Sequence, residues 1–281
     1  MKLITFIIPC YNSEKYMKKA IYSLLKSKEK IEIIIVNDGS EDHTLKIAQD
    51  LKKQYPKIIK VINQTNKGPG GAINSGLKIA KGKYFKIVDS DDWLEEKNLN
   101  VVLEFLKKEN IDVLLTNYVL EKNKHKEEIK YNIPINKKVN WQQIKNIPKN
   151  QFILMHSIIV KTKLLKKGKL KLPETIFYVD NLFVFYVLQH LNQLIYLDIP
   201  LYHYIIGRNN QTVNKKVMIN RIDDLISIVE IMQKDLKKIT DINLKNYLKQ
   251  HIEFIMNIAI EQLKGINTPT ANQKIAKLKM F

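Results

Sequence analysis

The sequence predicts an α/β protein in which helices flank a mostly parallel sheet, followed by a C-terminal extension of amphipathic helices. Across the first 116 residues, short apolar runs rich in Ile and Val alternate with segments whose apolar residues recur every three or four positions. The runs are almost continuously apolar, as at residues 31–36, which is typical of strands buried on both faces of a parallel sheet. From about Met218 the helical spacing continues towards the C-terminus, with a break near Thr240-Asp241.

The individual elements follow from these periodicities and from capping signals. Strands are predicted at residues 3–9, 31–36, 58–62, 84–88 and 111–116, and helices at residues 13–26, 40–54, 71–80 and 94–108. Ser40 is the predicted cap of the second helix, and Asp92 followed by Glu95 resembles a capping box for the fourth. Residues 121–150 are predicted to form a polar loop.

The charge of the chain is strongly basic. The formal net charge is +19, and lysines outnumber arginines by 45 to 2. Residues 121–170 alone hold 13 lysines against three glutamates. Such an excess favours polyanionic partners, among them anionic membrane surfaces and phosphate-rich substrates, although a compositional preference for lysine remains an equal alternative. Nucleic-acid binding is not predicted, because readers of nucleic acid rely on the bidentate fork of arginine.

A cytoplasmic location is expected, with peripheral attachment to the inner face of the membrane as an open addition. The apolar runs have the length of strands and fall short of the roughly 18 residues that cross a bilayer. The first residues lack the apolar core and cleavage site of a signal peptide. Cys10 is the single cysteine, so a disulfide within the chain is impossible.

Polar or glycine-rich segments follow the first four predicted strands. In open parallel sheets, ligands bind beyond the carboxyl ends of the strands. The segments are Pro9-Cys10-Tyr11-Asn12, Asn37-Asp38-Gly39-Ser40, Asn66-Lys67-Gly68-Pro69-Gly70-Gly71 and Asp89-Ser90-Asp91-Asp92. Their clustering predicts a nucleotide site at this edge of the sheet.

The tetrad Asp89-Ser90-Asp91-Asp92 predicts a divalent cation. Carboxylates this close repel one another unless a positive charge lies among them. Mg²⁺ is bound in proteins by one or two carboxylates together with substrate phosphates. We assign Asp89 and Asp91 to the donor and the metal, with Mn²⁺ or Mg²⁺ as the ion, and Asp92 mainly to structure.

Two further strand ends are weaker signals. Asp38 ends an apolar strand, where its carboxylate can accept a hydrogen bond from a base or a ribose, although a turn-forming role is the alternative. The segment Gly68-Pro69-Gly70-Gly71 opens a helix, and helix N-termini favour phosphate. It neither follows the first strand nor reads G-x-G-x-x-G, so it does not predict a dinucleotide loop.

Taken together, these residues resemble the family 2 glycosyltransferases, which are inverting enzymes with a GT-A, Rossmann-like fold. The matching segments are ITFIIPCYN at residues 4–12, EIIIVNDGS at residues 32–40, NKGPGGA at residues 66–72 and GKYFKIVDSDDW at residues 82–93. The resemblance divides the chain into a catalytic domain of residues 1–215 and a C-terminal helical region of residues 216–281. Within the domain, residues 1–116 would bind the nucleotide-sugar and residues 117–215 the acceptor.

The resemblance implies roles for individual residues. Asp180, within FYVDNLF at residues 177–183, would be the catalytic base, although Val179 stands where that motif usually has glutamate. Asp89 and Asp91 would bind metal, and His203 is a third predicted ligand with a structural role as its alternative. His156 is a weaker candidate for a metal or phosphate contact, because a core role is favoured. The predicted donor-binding residues are Pro9, Tyr11, Asn12, Asp38, Gly68, Asn74, Asp89, Ser90 and Arg208.

The resemblance therefore implies transfer of a hexose from a nucleotide donor, UDP being favoured, to a hydroxyl of a cell-surface polysaccharide, glycolipid or teichoic-type glycan. Two other functions stay open. One is a non-catalytic protein that binds sugar nucleotides or polyanions, which the unusual Val179 favours. The other is a sugar nucleotidyltransferase, which should carry a basic glycine-rich loop after its first strand, where this chain has Pro9-Cys10-Tyr11-Asn12.

Overall fold

The structure is a computed structural model that describes residues 2–27, 29–123, 125–144, 152–208, 211, 213–264, 266 and 268–279. Its centre is one sheet of nine strands. The strands are β1 (Lys2–Cys10), β2 (Ile31–Asp38), β3 (Ile59–Gln64), β4 (Gly82–Ile87), β5 (Trp93–Leu94), β6 (Val113–Lys122), β7 (His125–Ile129), β8 (Ile158–Lys161) and β9 (Leu194–Ile206). They lie in the order β3-β2-β1-β4-β8-β6-β9-β5, and β7 pairs with β6.

Ten helices are found in the described part of the chain. They are α1 (Met17–Leu25), α2 (Thr44–Gln54), α3 (Gly68–Ile79), α4 (Glu96–Lys108), α5 (Thr162–Lys167), α6 (Val179–His190), α7 (Lys215–Asn220), α8 (Ile222–Leu236), α9 (Ile242–Lys264) and α10 (Pro269–Lys279). The first four alternate with strands, as the sequence periodicity predicts, and each buries one apolar face against the sheet, as Met17, Ala20, Ile21 and Leu24 of α1 do.

The predicted parallel sheet is confirmed for its first half. Strands β3, β2, β1 and β4 are parallel neighbours, and every residue of β2 is buried, as expected for a strand covered on both faces. Beyond β4 the sheet is mixed, because β8 lies antiparallel between β4 and β6. Strand β6 therefore runs in the same direction as β4, and β9 is parallel to β6.

Several element boundaries differ from the prediction. Ser40 does not cap α2, which begins at Thr44; its Oγ instead accepts a hydrogen bond from the Asn12 amide at 3.0 Å. Asp92 caps no helix either, because Trp93–Leu94 forms strand β5 against β9 and α4 begins only at Glu96. Helix α3 starts three residues earlier than predicted, at Gly68.

The predicted polar loop at residues 121–150 is only partly a loop. Strand β6 extends to Lys122 and forms a hairpin with β7, whose first four residues are all exposed. Single bridges then tie Ile135 and Val139 to β9. Residues 124 and 145–150 of this stretch lie outside the described part of the chain.

The C-terminal helices pack on the sheet domain. The Ile153 amide donates to the Tyr247 hydroxyl of α9 at 2.7 Å, and the ring of Trp141 stacks on that of Tyr247 at 5.5 Å. Apolar faces of α8 and α9 are buried in the same core as the sheet. Among the described residues, no helix combines the length and the apolar character needed to cross a bilayer. The boundary at residue 216 remains a prediction.

His251 of α9 makes this packing sensitive to acid. Its side chain is 1% exposed and stacks on Phe152 at 5.0 Å, and burial lowers the pKa of the ring to about 4. The unfolded chain takes up that proton at its ordinary pKa of about 6.5, so stability falls as the pH drops from about 6.5 towards 4. Between pH 7 and pH 5, the free energy of unfolding should fall by about 2 kcal/mol more in the parent chain than in His251→Phe. Urea unfolding at the two pH values measures the difference. Equal losses in the two proteins would contradict this prediction.

Candidate active site

Asp38 lies at the carboxyl edge of the sheet, as the sequence predicts. It ends β2, opposite Gln64 at the end of β3, and is 3% exposed. Its Oδ1 accepts hydrogen bonds from the Gln64 side-chain amide at 2.7 Å and from the Lys67 backbone amide at 2.9 Å. The same carboxylate oxygen therefore holds the segment that leads into α3.

The segment after β1 packs against two neighbouring strand ends. Asn12 adopts a left-handed conformation (φ 49°), and its side-chain oxygen accepts from the Glu41 amide at 2.9 Å. Ser13 reaches Ser90, with 2.8 Å between the two hydroxyl oxygens. Pro9 pairs with Val36 inside the sheet, and Tyr11 is 53% exposed beside the edge. Asn12 and Ser13 thus tie this segment to the chain that follows β2 and β4.

The start of α3 is held by a segment from the second half of the domain. Gly68 has a φ of 71°, and its amide donates to the Asn66 side chain at 3.0 Å. Asn74, a predicted donor contact, uses both side-chain atoms on the backbone of Leu172, at 2.8 and 3.0 Å. These bonds give Asn74 a structural role, because both polar atoms of its side chain are occupied by the backbone instead of a donor.

Asp89 and Asp180 come together although they are 91 positions apart in the chain. Asp180 lies in the first turn of α6, after Tyr178, which has a left-handed φ of 64°. Burial and the nearby Asp180 carboxylate raise the pKa of Asp89, against the opposing charges of Lys86 and Arg208. Burial also raises the pKa of Asp180. These four side chains therefore share one site, in which Lys86 is fully buried and the other three are half-buried.

Asp92 holds the framework around this site. Its Oδ2 accepts from the Tyr202 hydroxyl at 2.7 Å, and its Oδ1 accepts from the Ile205 amide at 2.8 Å. The Tyr202 oxygen in turn accepts from the Asp89 amide at 3.1 Å. A structural assignment of Asp92 agrees with these contacts, but its partners belong to β9 instead of a helix.

Asp91 is paired with Arg208. The Arg208 guanidinium contacts Asp91 Oδ2, and the Gln211 side-chain amide donates to the same oxygen at 3.3 Å. The guanidinium also lies 4.2 Å from the centre of the Tyr16 ring. Arg208, a predicted donor contact, therefore reaches the acidic tetrad.

His156 faces Asp89 from a short 3-10 turn, Met155–Ser157. Its Nδ1 is 4.0 Å from Asp89 Oδ2, is buried, and has no hydrogen-bond partner among the described residues. Burial lowers the pKa of the imidazole to about 3. The fully buried Lys86 of β4 donates to the His156 carbonyl at 2.6 Å and to the Ile158 carbonyl at 3.3 Å.

His203, the predicted third metal ligand, lies elsewhere. Its Nδ1 is 2.6 Å from Glu121 Oε1, and its ring stacks on Trp93 at 3.7 Å. Burial lowers the pKa of this ring, although Glu121 opposes the effect. The structural alternative for His203 therefore fits the contacts better than metal binding does.

A divalent ion can be accommodated beside Asp89. One ligand atom from each of Asp89, Asp92 and His156 lies within 4.8 Å of the others. A cation there would bind the unpartnered Nδ1 of His156. It would also offset the repulsion between the carboxylates. The structure thus offers a place for the predicted Mn²⁺ or Mg²⁺ ion, although its group contains Asp92 and His156 in place of Asp91 and His203.

Of the residues at this site, Lys86 is missed in the sequence analysis and His156 is only a weaker candidate there. Lys86 interrupts an otherwise apolar strand, which is a usable signal, because a lysine in a strand buried on both faces needs a buried partner. His156 carried no such signal, since its approach to Asp89 depends on how β8 folds back against β4.

The parallel strands β3, β2, β1 and β4, with acidic residues at their carboxyl edge, agree with the GT-A type of fold that the sequence predicts. A sequence model for "Glycosyl transferase family 2" matches residues 5–170. The chain belongs to this family.

Individual relatives agree with this assignment. An uncharacterized glycosyltransferase of Haemophilus influenzae is 31% identical over 188 residues, which span 65% of this chain and 72% of that protein. TarS of Staphylococcus aureus, a poly(ribitol-phosphate) beta-N-acetylglucosaminyltransferase, is 28% identical over 265 residues. That alignment spans 90% of this chain but 45% of TarS, so the chain matches less than half of the longer protein.

Solved structures share the fold. The crystal structure of TarS residues 1–349 in complex with UDP-GlcNAc has a TM-score of 0.70 at 23% identity, covering 99% of this chain and 79% of that chain. A mannosyltransferase from Pyrobaculum calidifontis, PcManGT, in complex with GDP-Man and Mn²⁺, has a TM-score of 0.61 at 13% identity. It covers 97% of this chain and 78% of its own.

Proposed function

We propose that this protein is an inverting glycosyltransferase that moves a hexose from a UDP donor to a hydroxyl of an anionic, teichoic-type glycan. The observation that carries the proposal is the meeting of Asp89, Asp91 and Asp180 at the carboxyl edge of the parallel strands. In open sheets this edge is where nucleotides bind. The acidic group supplies both a place for a cation and a base.

The donor is bound by the strand ends. Asp38 uses Oδ1 for its protein contacts, so Oδ2 is the oxygen proposed to accept a hydrogen bond from the base or the ribose. Tyr11 flanks the base as an exposed ring, and Pro9, Asn12 and Ser90 shape the crevice. The N-terminus of α3 at Gly68 and the Arg208 guanidinium favour the negative charge of the diphosphate.

The proposed cation is Mn²⁺ or Mg²⁺, held by Asp89 and Asp91. When bound, such an ion stabilises the negative charge that develops on the departing nucleoside diphosphate. Arg208 contributes to the same end, because its guanidinium already lies against Asp91 and can exchange that carboxylate for a phosphate oxygen.

Asp180 is the proposed general base. It accepts the proton of the acceptor hydroxyl as that oxygen attacks the anomeric carbon and the diphosphate departs from the opposite face, which inverts the configuration. Its raised pKa suits this role, because a stronger base takes the proton more readily. Asn181, whose amide donates to Asp180 at 3.4 Å, orients the carboxylate.

An anionic acceptor is supported by the charge of the chain and by one relative. The net charge of +19 would attract a polymer that carries a phosphate in every repeat. Lys163, Lys166, Lys167 and Lys169 are exposed on and after α5. TarS is named for poly(ribitol phosphate), which is a polymer of this chemical class. A cytoplasmic site of action, at the inner membrane face, would accord with such an acceptor.

A donor panel tests the proposal. We expect one UDP-hexose, with Mn²⁺ present, to raise the melting temperature more than UDP alone and more than GDP-sugars. With poly(ribitol phosphate) as acceptor, we expect transfer that weakens as salt rises, since screening reduces attraction between the polymer and the lysines. Transfer only to neutral glycans, at a rate unaffected by salt, would refute the anionic acceptor.

The non-catalytic alternative is favoured only by Val179, which is buried and leaves Asp180 without a neighbouring glutamate. A binding protein would shift its melting temperature with a donor yet release no nucleoside diphosphate. A nucleotidyltransferase is disfavoured by the segment after β1, where Asn12 and Ser13 are occupied with protein contacts and no basic loop occurs.

A further inference from the structure

His156 is a buried polar residue beside the acidic cluster that the proposed mechanism does not use. Its side chain is 9% exposed, and its Nδ1 has no hydrogen-bond partner in the described part of the chain. Leaving a ring nitrogen buried and unpaired is costly, because the nitrogen loses its bond to water. The nitrogen is directed at Asp89 Oδ2, 4.0 Å away, which is too long for a hydrogen bond.

The surroundings of His156 fix the ring in this orientation. Tyr202 stacks on one side with its ring centre 4.7 Å away, and Tyr204 lies 4.2 Å away. Tyr202 is itself fixed, because its hydroxyl donates to Asp92 and accepts from the Asp89 amide. Lys86 holds the backbone carbonyl of His156 at 2.6 Å. An imidazole that merely filled space would not need restraint from so many directions.

We infer that His156 is a ligand of the divalent cation, giving its Nδ1 to the same ion that Asp89 binds. This inference rests on the metal dependence proposed above. A cation between the two residues would pair the orphaned nitrogen and neutralise the carboxylate with one contact. Asp92 is the poorer ligand of the three clustered residues, because both of its oxygens already accept hydrogen bonds.

A nitrogen ligand has a consequence for which ion is preferred. Mg²⁺ is bound almost entirely by oxygen, whereas first-row transition ions also accept imidazole. The site should therefore favour Mn²⁺ over Mg²⁺, and replacing His156 should reduce that preference. We expect the Kd for Mn²⁺ to rise about tenfold or more, since even changes to residues behind the ligands have effects of that size.

The test is electron paramagnetic resonance of Mn²⁺ bound to the full chain without nucleotide. A titration of the free-ion signal gives the affinity, and electron spin-echo modulation detects ¹⁴N coupled to the ion. We expect a nitrogen coupling in the parent protein that is lost in His156→Phe and kept in His203→Phe. His203 is the matched control, because it is another buried, stacked imidazole near the acidic residues.

Each result has a distinct meaning. If the parent protein binds no Mn²⁺, the proposed metal dependence itself fails. If Mn²⁺ binds without nitrogen coupling, or the coupling persists in His156→Phe, the assignment of His156 is overturned while the proposed function stands. Loss of the nitrogen coupling in His203→Phe would also overturn the assignment. If His156→Phe folds poorly, His156→Asn takes its place in the same measurement.

Discussion

Replacing Asp180 with asparagine is expected to reduce sugar transfer by about 10²- to 10⁴-fold, the range that a general base contributes. Asparagine keeps the shape of the side chain but cannot take the proton of the acceptor hydroxyl. Donor binding should remain, because the proposed contacts to UDP come from Asp38, the crevice after β1, and Arg208. The measurements are the transfer rate and the Kd for the UDP-hexose with Mn²⁺ present.

The matched control is Asp223→Asn. Asp223 also lies in the first turn of a helix, α8, but is exposed on the C-terminal region. It should leave the transfer rate unchanged. In the parent enzyme, the raised pKa of Asp180 moves the acid limb of the rate profile above the ordinary pKa of aspartate, because transfer needs the deprotonated form. An Asp180→Asn enzyme with ordinary turnover would mean that another residue is the base.

Replacing Asp91 with asparagine is expected to reduce metal-dependent transfer by about 10²-fold or more, since electrostatic stabilisation of the leaving group is lost. The loss should appear in kcat and in the Mn²⁺ concentration required for half-maximal rate. The fold should persist, because the Asp91 side chain contacts only Arg208 and Gln211 within the described part of the chain. Far-UV circular dichroism and thermal unfolding check that the variant is folded.

An exposed aspartate provides the comparison for this second variant. Asp50 of α2 lies on the surface with a weak ion pair to Lys53 at 3.9 Å, and Asp50→Asn should transfer sugar like the parent enzyme. The assignment of Asp91 would be wrong if Asp91→Asn required no more Mn²⁺ than the parent and turned over at the same rate. In that case Asp89 alone would suffice among the predicted carboxylate ligands.

The first half of the fold could be predicted from the sequence, because its strands and helices have clear local patterns. The runs that form β1, β2 and β4 are continuously apolar, and period and composition identify such strands without knowledge of their partners. The exact helix starts were less accessible, as at α4, because Trp93–Leu94 pairs with a strand more than a hundred residues away. Nothing local to Asp92 indicates that Tyr202 is its partner.

The candidate site shows the same division. Asp38, Asp89 and Asp91 follow strands, so the topology of a parallel sheet alone brings them to one edge. Asp180 was reached only through a resemblance, and His156 and Lys86 depend on strand β8 folding back antiparallel to β4. His203 is of a residue type that binds metal ions, yet its ring stacks on Trp93. Spacing along a strand did not reveal which face each of its side chains occupies.

The face of β9 on which each side chain lies is fixed by the register in which β9 pairs with β6. Two irregularities between Thr116 and Tyr118 let β9 accommodate extra residues, so that Thr116 faces Leu197 while Tyr118 faces Tyr202. Side chains alternate along a strand, so Tyr202 and Tyr204 reach His156 while His203 turns to the opposite face. Inserting or deleting a single residue between 197 and 202 would exchange the two faces. The length of this short bulged stretch is therefore under tighter constraint than its composition, because deleting one residue there would move Tyr202 away from Asp92 and bring the imidazole of His203 to its position.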